Sequence, residues 1–210
     1  MGGSTELLLL LADGRWPGGG YAHSGTLEAA VATGAVHDAS SLHDFVEGRL
    51  HAVGPFEAWT AAQACAGVDP IVLNARYDAR TPSPAQRKAS ISLGRGMLRA
   101  SSKVWPEIGT LMNCHYAVAI GIVARAVGLG PADAGRIALH SLIMSPLSAA
   151  PKLFAIDTTD ALRIAVALAD AVDAIATDST DPTPPPPRSS LFTEQLAEEH
   201  ANWTTRLFAS

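Results

Sequence analysis

Apolar residues in this chain recur at three- and four-residue intervals, and no segment sustains the period-two alternation with β-branched residues that marks a strand. A sheet-based core is therefore excluded, and helices must bury their faces on one another. The expected fold is all-α, a single helical domain of about eight to ten helices at ordinary helix lengths. Leu42, Phe45, Val46, Leu50 and Val53 mark one amphipathic helix, opened by a Ser41-x-x-Asp44 capping box and closed by Gly54-Pro55. A second pattern runs through Trp59 and Cys65 to Gly67. Asp69-Pro70 restarts a helix with an acid at the cap and proline at its first position. Residues 78–86 read as a loop. The nearly all-apolar stretch from Cys114 to Gly128 is the expected central helix. Gly130-Pro131 opens the next helix, which extends to about Pro146, and Pro151 interrupts the segment beyond it. Asp160 to Ala176 reads as one long helix with Leu162, Ala165, Val166, Ala169, Val172 and Ile175 facing inward.

Composition shifts at Asp178. Residues 178–190 hold five prolines and no aliphatic side chain, the signature of a stiff, solvated linker. The chain thus divides into a helical core (1–177), a Pro-rich linker (178–190), and a C-terminal helix and tail (191–210). With Trp203, Leu207 and Phe208 the tail is too apolar to be left in water, so it is expected to dock on this domain or on a partner.

The most unusual stretch is Trp16-Pro17-Gly18-Gly19-Gly20-Tyr21-Ala22-His23-Ser24-Gly25-Thr26-Leu27-Glu28. Proline fixes φ and glycines allow angles that a side chain forbids, so the backbone makes a specified turn before a helix that Ser24 or Gly25 can cap, with Glu28 in its first turn. It is no phosphate loop, because no lysine precedes residue 88. Nor is it a nucleophile elbow around Ser24, because Ala22 and Thr26 occupy both glycine positions. A rigid turn presenting Tyr21, His23 and Ser24, or a purely structural corner, remains.

Charge narrows the function classes. A net charge of −5 argues against a nucleic-acid binder. Seven of the fifteen Lys and Arg residues lie between Arg76 and Lys103 against one acid, Asp78. Arg95, Arg99 and Lys103 share a helix face, either an ordinary solvated surface or a dock for an acidic partner. Charged residues make up only 17% of the chain, which suits a surface partly covered by partners. Two cysteines, Cys65 and Cys114, make no disulfide framework, and neither a signal peptide nor a membrane-length apolar run is visible, so the expected location is cytoplasmic. The seven histidines form no ligand pattern, and no Ser/His/Asp or Cys/His set can be assembled. His115 and His140 read as satisfied core residues, and no catalytic or metal residue is assigned.

The glycine stretch resembles the N-terminal signature of the urease accessory protein UreF family, through Pro17, Gly19, Gly20, Tyr21, Ser24, Leu27 and Glu28; Thr26 stands where that family usually has glycine. Further segments resemble the family in order. Arg87-x-Ala89-Ser90 is followed by Gly94-Arg95 and Leu98. His115, Gly121 and Gly128 come next, then Ala149-Ala150-Pro151-Lys152-Leu153 with lysine for arginine. His200 and the terminal Arg206-Leu207-Phe208-Ala209-Ser210 complete the series.

The resemblance implies an all-α, non-enzymatic scaffold in nickel-urease maturation. It implies a homodimer that binds UreD (also called UreH) and the GTPase UreG and passes nickel to apo-urease, with nickel and GTP belonging to that complex and no cofactor to this chain. The corresponding partner-binding candidates are Pro17, Gly19, Gly20, Tyr21, His23, Ser24, Glu28, Arg87, Arg95, Lys152, Arg206, Leu207 and Phe208. A helical enzyme with a site near His23 and Ser24, or a helical adaptor outside urease maturation, are the alternatives.

Overall fold

The computed structural model describes residues 4–109 and 113–210. Within them the backbone forms ten α-helices and no strand. They are α1 (Thr5–Ala12), α2 (Leu27–Ala32), α3 (Ala39–Ala66), α4 (Pro70–Arg80), α5 (Pro84–Val104), α6 (Tyr116–Ala126), α7 (Pro131–Leu153), α8 (Thr158–Ala167), α9 (Ala169–Asp178) and α10 (Leu191–Ala201).

The long α3, about 42 Å at 1.5 Å per residue, is the axis of the fold. Antiparallel to it lies α7, with Gly54 of α3 against Leu139 and Leu142, and Ala58 against Gly135. Gly121 of α6 seats on the Ala61–Cys65 backbone, and Gly94 of α5 seats on the Cys114 and His115 carbonyls. These contacts organise two hydrophobic clusters. One gathers α2, the first half of α3, the second half of α7, α8, α9, Leu196 of α10 and Phe208. The other gathers α1, the second half of α3, α4, α5, α6 and the start of α7. Among the described residues no helix is long and apolar enough to cross a membrane.

Several local expectations are corrected. The capping box is Asp38/Ser41, not Ser41/Asp44: the Asp38 carboxylate accepts from Ser41 N at 2.8 Å, and Ser41 Oγ accepts from Asp38 N at 3.1 Å. Gly54-Pro55 does not end the helix, which runs on to Ala66. Pro55 has no N–H to give the His51 carbonyl, and Arg188 Nη1 supplies one instead at 3.3 Å. Helix α7 likewise continues through Pro146 and Pro151 to Leu153, because Leu147, Ala149 and Ala150 are buried on the helical face. The loop expected at 78–86 shrinks to 81–83, since Pro84 opens α5 at a position that needs no N–H and Ser83 caps it.

The single helix expected over 160–176 is interrupted at Leu168. Its buried face is Ala161, Ile164, Leu168, Val172 and Ala176, while Leu162 and Val166 are 58% and 76% exposed. The stripe is rotated by about one residue from the expected one, and it packs into the same cluster as the first half of α3 and the second half of α7. The Pro-rich segment is mostly exposed, yet it is pinned along its course. Trp59 Nε1 donates to Asp181 O at 3.1 Å, Gln63 Nε2 donates to the same carbonyl at 3.1 Å, and Arg80 Nη1 donates to Pro185 O at 2.8 Å.

Candidate functional site

Three segments far apart in sequence meet at one place: the glycine turn, the end of α7 and the tail. The turn is seated on α5, where a Cβ at Gly96 would lie 2.1 Å from Gly18 O. Trp16 stacks on Trp105 with ring centroids 5.6 Å apart. Gly19 takes φ +92°, open to glycine and costly for most residues. Pro17 and Tyr21 are exposed, Tyr21 at 60%.

The turn receives the tail. Ala209 N donates to Ala22 O at 2.6 Å, and Ser24 N and Oγ donate to Ser210 O at 2.6 and 3.0 Å. His23 Nδ1 lies 2.5 Å from Ser210 Oγ. The main anchor is Glu28, the first-turn acid of α2. Its carboxylate accepts from Leu207 N at 2.7 Å, from Phe208 N at 2.9 Å, and pairs with His200 Nε2 at 2.9 Å. Burial pushes the Glu28 carboxyl up, but the donated bonds from Leu207, His200 and Phe208 prevail and hold it below its ordinary value. Phe208 is 5% exposed and Leu207 62%. Lys152 Nζ stands 5.9 Å from the Tyr21 ring centroid and 5.6 Å from that of Phe208, so one ammonium bridges turn and tail.

The structure therefore unites Tyr21, His23, Ser24, Glu28, Lys152, Leu207 and Phe208. His23 and Ser24 bind Ser210 rather than each other, and Ser24 is fully buried. Arg87 and Arg95 lie apart on α5. Arg87 Nη1 donates to the Thr81 and Pro82 carbonyls, and Arg95 Nε donates to Asn113 Oδ1 at 3.1 Å.

Beneath the turn and tail opens a cavity of about 410 Å³ walled by α3, α5, α7 and α10. Arg49 and Glu57, both on α3, face into it. Arg49 Nη1 donates to Gly25 O at 2.6 Å, and Glu57 accepts from the Tyr77 hydroxyl. Burial lowers Arg49 to about 10 and raises Glu57. No motif points to this pair. The available signal is that both charges fall on the helical stripe marked by Leu42, Val46, Leu50 and Val53.

His115 is fully buried, stacks on Tyr77 at 4.0 Å and meets Asp78 Oδ1 with Nε2 at 3.1 Å. Among the described residues, His43, Asp44 and Glu47 on α3 bring three potential ligand atoms within 4.8 Å of one another at a partly exposed position, where the i,i+4 spacing of His43 and Glu47 is the sequence signal.

Thr26 resolves one departure from the resemblance. It takes φ +70°, a left-handed angle that is strained for a β-branched residue, and its Oγ1 donates to Gly25 O. Thr26→Gly is expected to stabilise the protein by about 1 kcal/mol, raising Tm by a few degrees in thermal unfolding. An unchanged or lower Tm would mean the strain is absorbed elsewhere.

Residues 36–169 match the family model UreF. Over 99% of its length the chain is 35% identical to the urease accessory protein UreF of Mycolicibacterium vanbaalenii, covering 99% of that protein. It is similar at 35% identity to the UreF of Mycobacterium marinum, again over 99% of both chains. To the UreF of Mycobacterium tuberculosis strain H37Rv it is 33% identical over 99% of each.

Proposed function

The chain belongs to the UreF family of urease accessory proteins, and from that premise we propose that it is a non-enzymatic, cytoplasmic scaffold for loading nickel into apo-urease. In this reading it dimerises, binds UreD (UreH) and recruits the GTPase UreG. Nickel and GTP are carried by the assembled complex, and the chain itself holds no cofactor.

The observation that carries the reading is the composite surface at the turn and tail. Residues from the two ends of the family resemblance form one unit, Glu28 with Leu207 and Phe208 through its carboxylate and Tyr21 with Phe208 through the Lys152 ammonium. A surface built from an exposed tyrosine, an exposed leucine and the exposed Lys152 and Arg206 suits a protein partner: aromatic and arginine side chains dominate such contacts. Arg87 and Arg95 extend the candidate contacts along α5, where the exposed face with Arg99 and Lys103 suits an acidic partner.

Co-expression with a urease operon lacking its own copy of this component tests the proposal. Urease activity and bound nickel should be restored, and deletion of Arg206 to Ser210 should abolish both while the protein stays soluble. Restoration that survives the deletion would move the contact elsewhere. No restoration with matched partners and soluble protein would sink the scaffold role.

A further inference from the structure

We propose that the cavity beneath the turn and tail is a binding site for a small organic hydroxycarboxylate. The inference goes beyond the scaffold role and does not depend on it. Charge is the first argument. Arg49, Arg80, Lys88, Arg188 and Arg206, five of the chain's fifteen Lys and Arg residues, line this one cavity, against two of its twenty acids, Glu57 and Glu194. A chain of net charge −5 thus gathers a local excess of positive charge around a concave space, which concentrates anions there. The same excess disfavours a bare cation as occupant.

Arg49 sets the ligand chemistry. A guanidinium offers five N–H donors, and among the described residues Arg49 makes one hydrogen bond, to Gly25 O, and no ion pair. Its remaining donors are open toward the cavity, and a carboxylate is the group whose geometry matches a guanidinium fork. Gly25 holds the fork in place: a Cβ there would lie 2.3 Å from Arg49 Nη1, and the residue sits at φ +61°. The turn glycine therefore keeps the guanidinium facing the cavity.

Glu57 adds the second requirement. It lies two helical turns further along α3, and one of its oxygens accepts from Tyr77 while the other takes no hydrogen bond among the described residues. It can accept from a ligand hydroxyl. Val53, Phe56, Leu93 and Leu142 line the same space, favouring a carbon skeleton over an inorganic anion. Arg80, Lys88, Arg188 and Arg206 can meet a second carboxylate nearer the solvent.

Isothermal titration of the full chain at constant ionic strength, with citrate, L-malate, succinate and sulfate, is the test. Citrate and malate should bind, succinate more weakly for want of the hydroxyl, and Arg49→Gln should weaken citrate by at least about tenfold. Lys88→Gln, a change at a residue outside the hydrophobic clusters that leaves folding intact, should weaken citrate a few-fold and keeps the test decisive if Arg49→Gln fails to fold. No binding of any carboxylate up to about 10 mM would overturn the proposal. So would sulfate binding as tightly as citrate, or citrate binding that ignores both substitutions, since either would reduce the effect to surface charge.

Discussion

Gly121→Ala is expected to destabilise the protein by about 3 kcal/mol or more, lowering Tm by roughly 6–12 °C. A Cβ at that position would lie 2.3 Å from Ala61 O, 2.5 Å from Ala64 Cβ and 2.8 Å from Cys65 N. None of these atoms is the end of a flexible side chain, so α6 must move off α3 as a body and strip contacts along the second cluster. Alanine is the better helix former by about 1 kcal/mol, and packing has to overcome that gain. Gly48→Ala on α3 is the matched control. Nothing lies within 4 Å of the Cβ it would add, so propensity alone should act and the variant should be slightly more stable. Chemical denaturation of both variants reads the contrast, and a Gly121→Ala protein as stable as the parent would refute the close seating of α6 on α3.

The second large effect concerns the tail. Glu28→Ala removes the acceptor for two backbone N–H groups and for His200, each a charge-assisted bond. Loss of about 2–3 kcal/mol of local stability is expected, so the Leu207 and Phe208 amides should exchange with deuterium at least about thirty-fold faster. The effect on Tm should be small, because a terminal segment can open without the helices. pH should act on the same group. Its folded-state carboxyl lies below the ordinary value, so it contributes stability that is fully present above about pH 4.3 and is lost as pH falls through the depressed value. Tail amides that stay equally protected in Glu28→Ala would show that Ser24 and Ala22 hold the tail unaided.

The helical architecture is legible in the sequence because burial in an all-α fold imposes a period that survives without context. Caps with a side-chain acceptor and a proline at N1 are legible too, as at Asp69-Pro70. Pro55, Pro146 and Pro151 mislead because their cost depends on what replaces the missing N–H and on what the flanking turns bury. For Pro55 the replacement donor is Arg188, more than a hundred residues away and invisible to any local pattern. Leu162 and Val166 mislead because two overlapping stripes exist over these residues, and the packing of α8 and α9 on the rest of the fold buries Ala161, Ile164, Leu168, Val172 and Ala176 instead. At the site, the turn and tail can each be nominated from their motifs. Their junction through Glu28 is a long-range fact with no sequence spacing to announce it, and for Arg49 and Glu57 the sequence shows only two charges on the apolar stripe of α3, not the cavity they share.

The two hydrophobic clusters share α3 and α7, each of which buries one half in one cluster and the other half in the second. Neither cluster has a complete set of walls of its own. Melting one would fray the rods that roof the other, so the energetic unit is the pair of helices rather than either cluster. A chain built this way unfolds as one cooperative block, with the tail as the part free to detach beforehand.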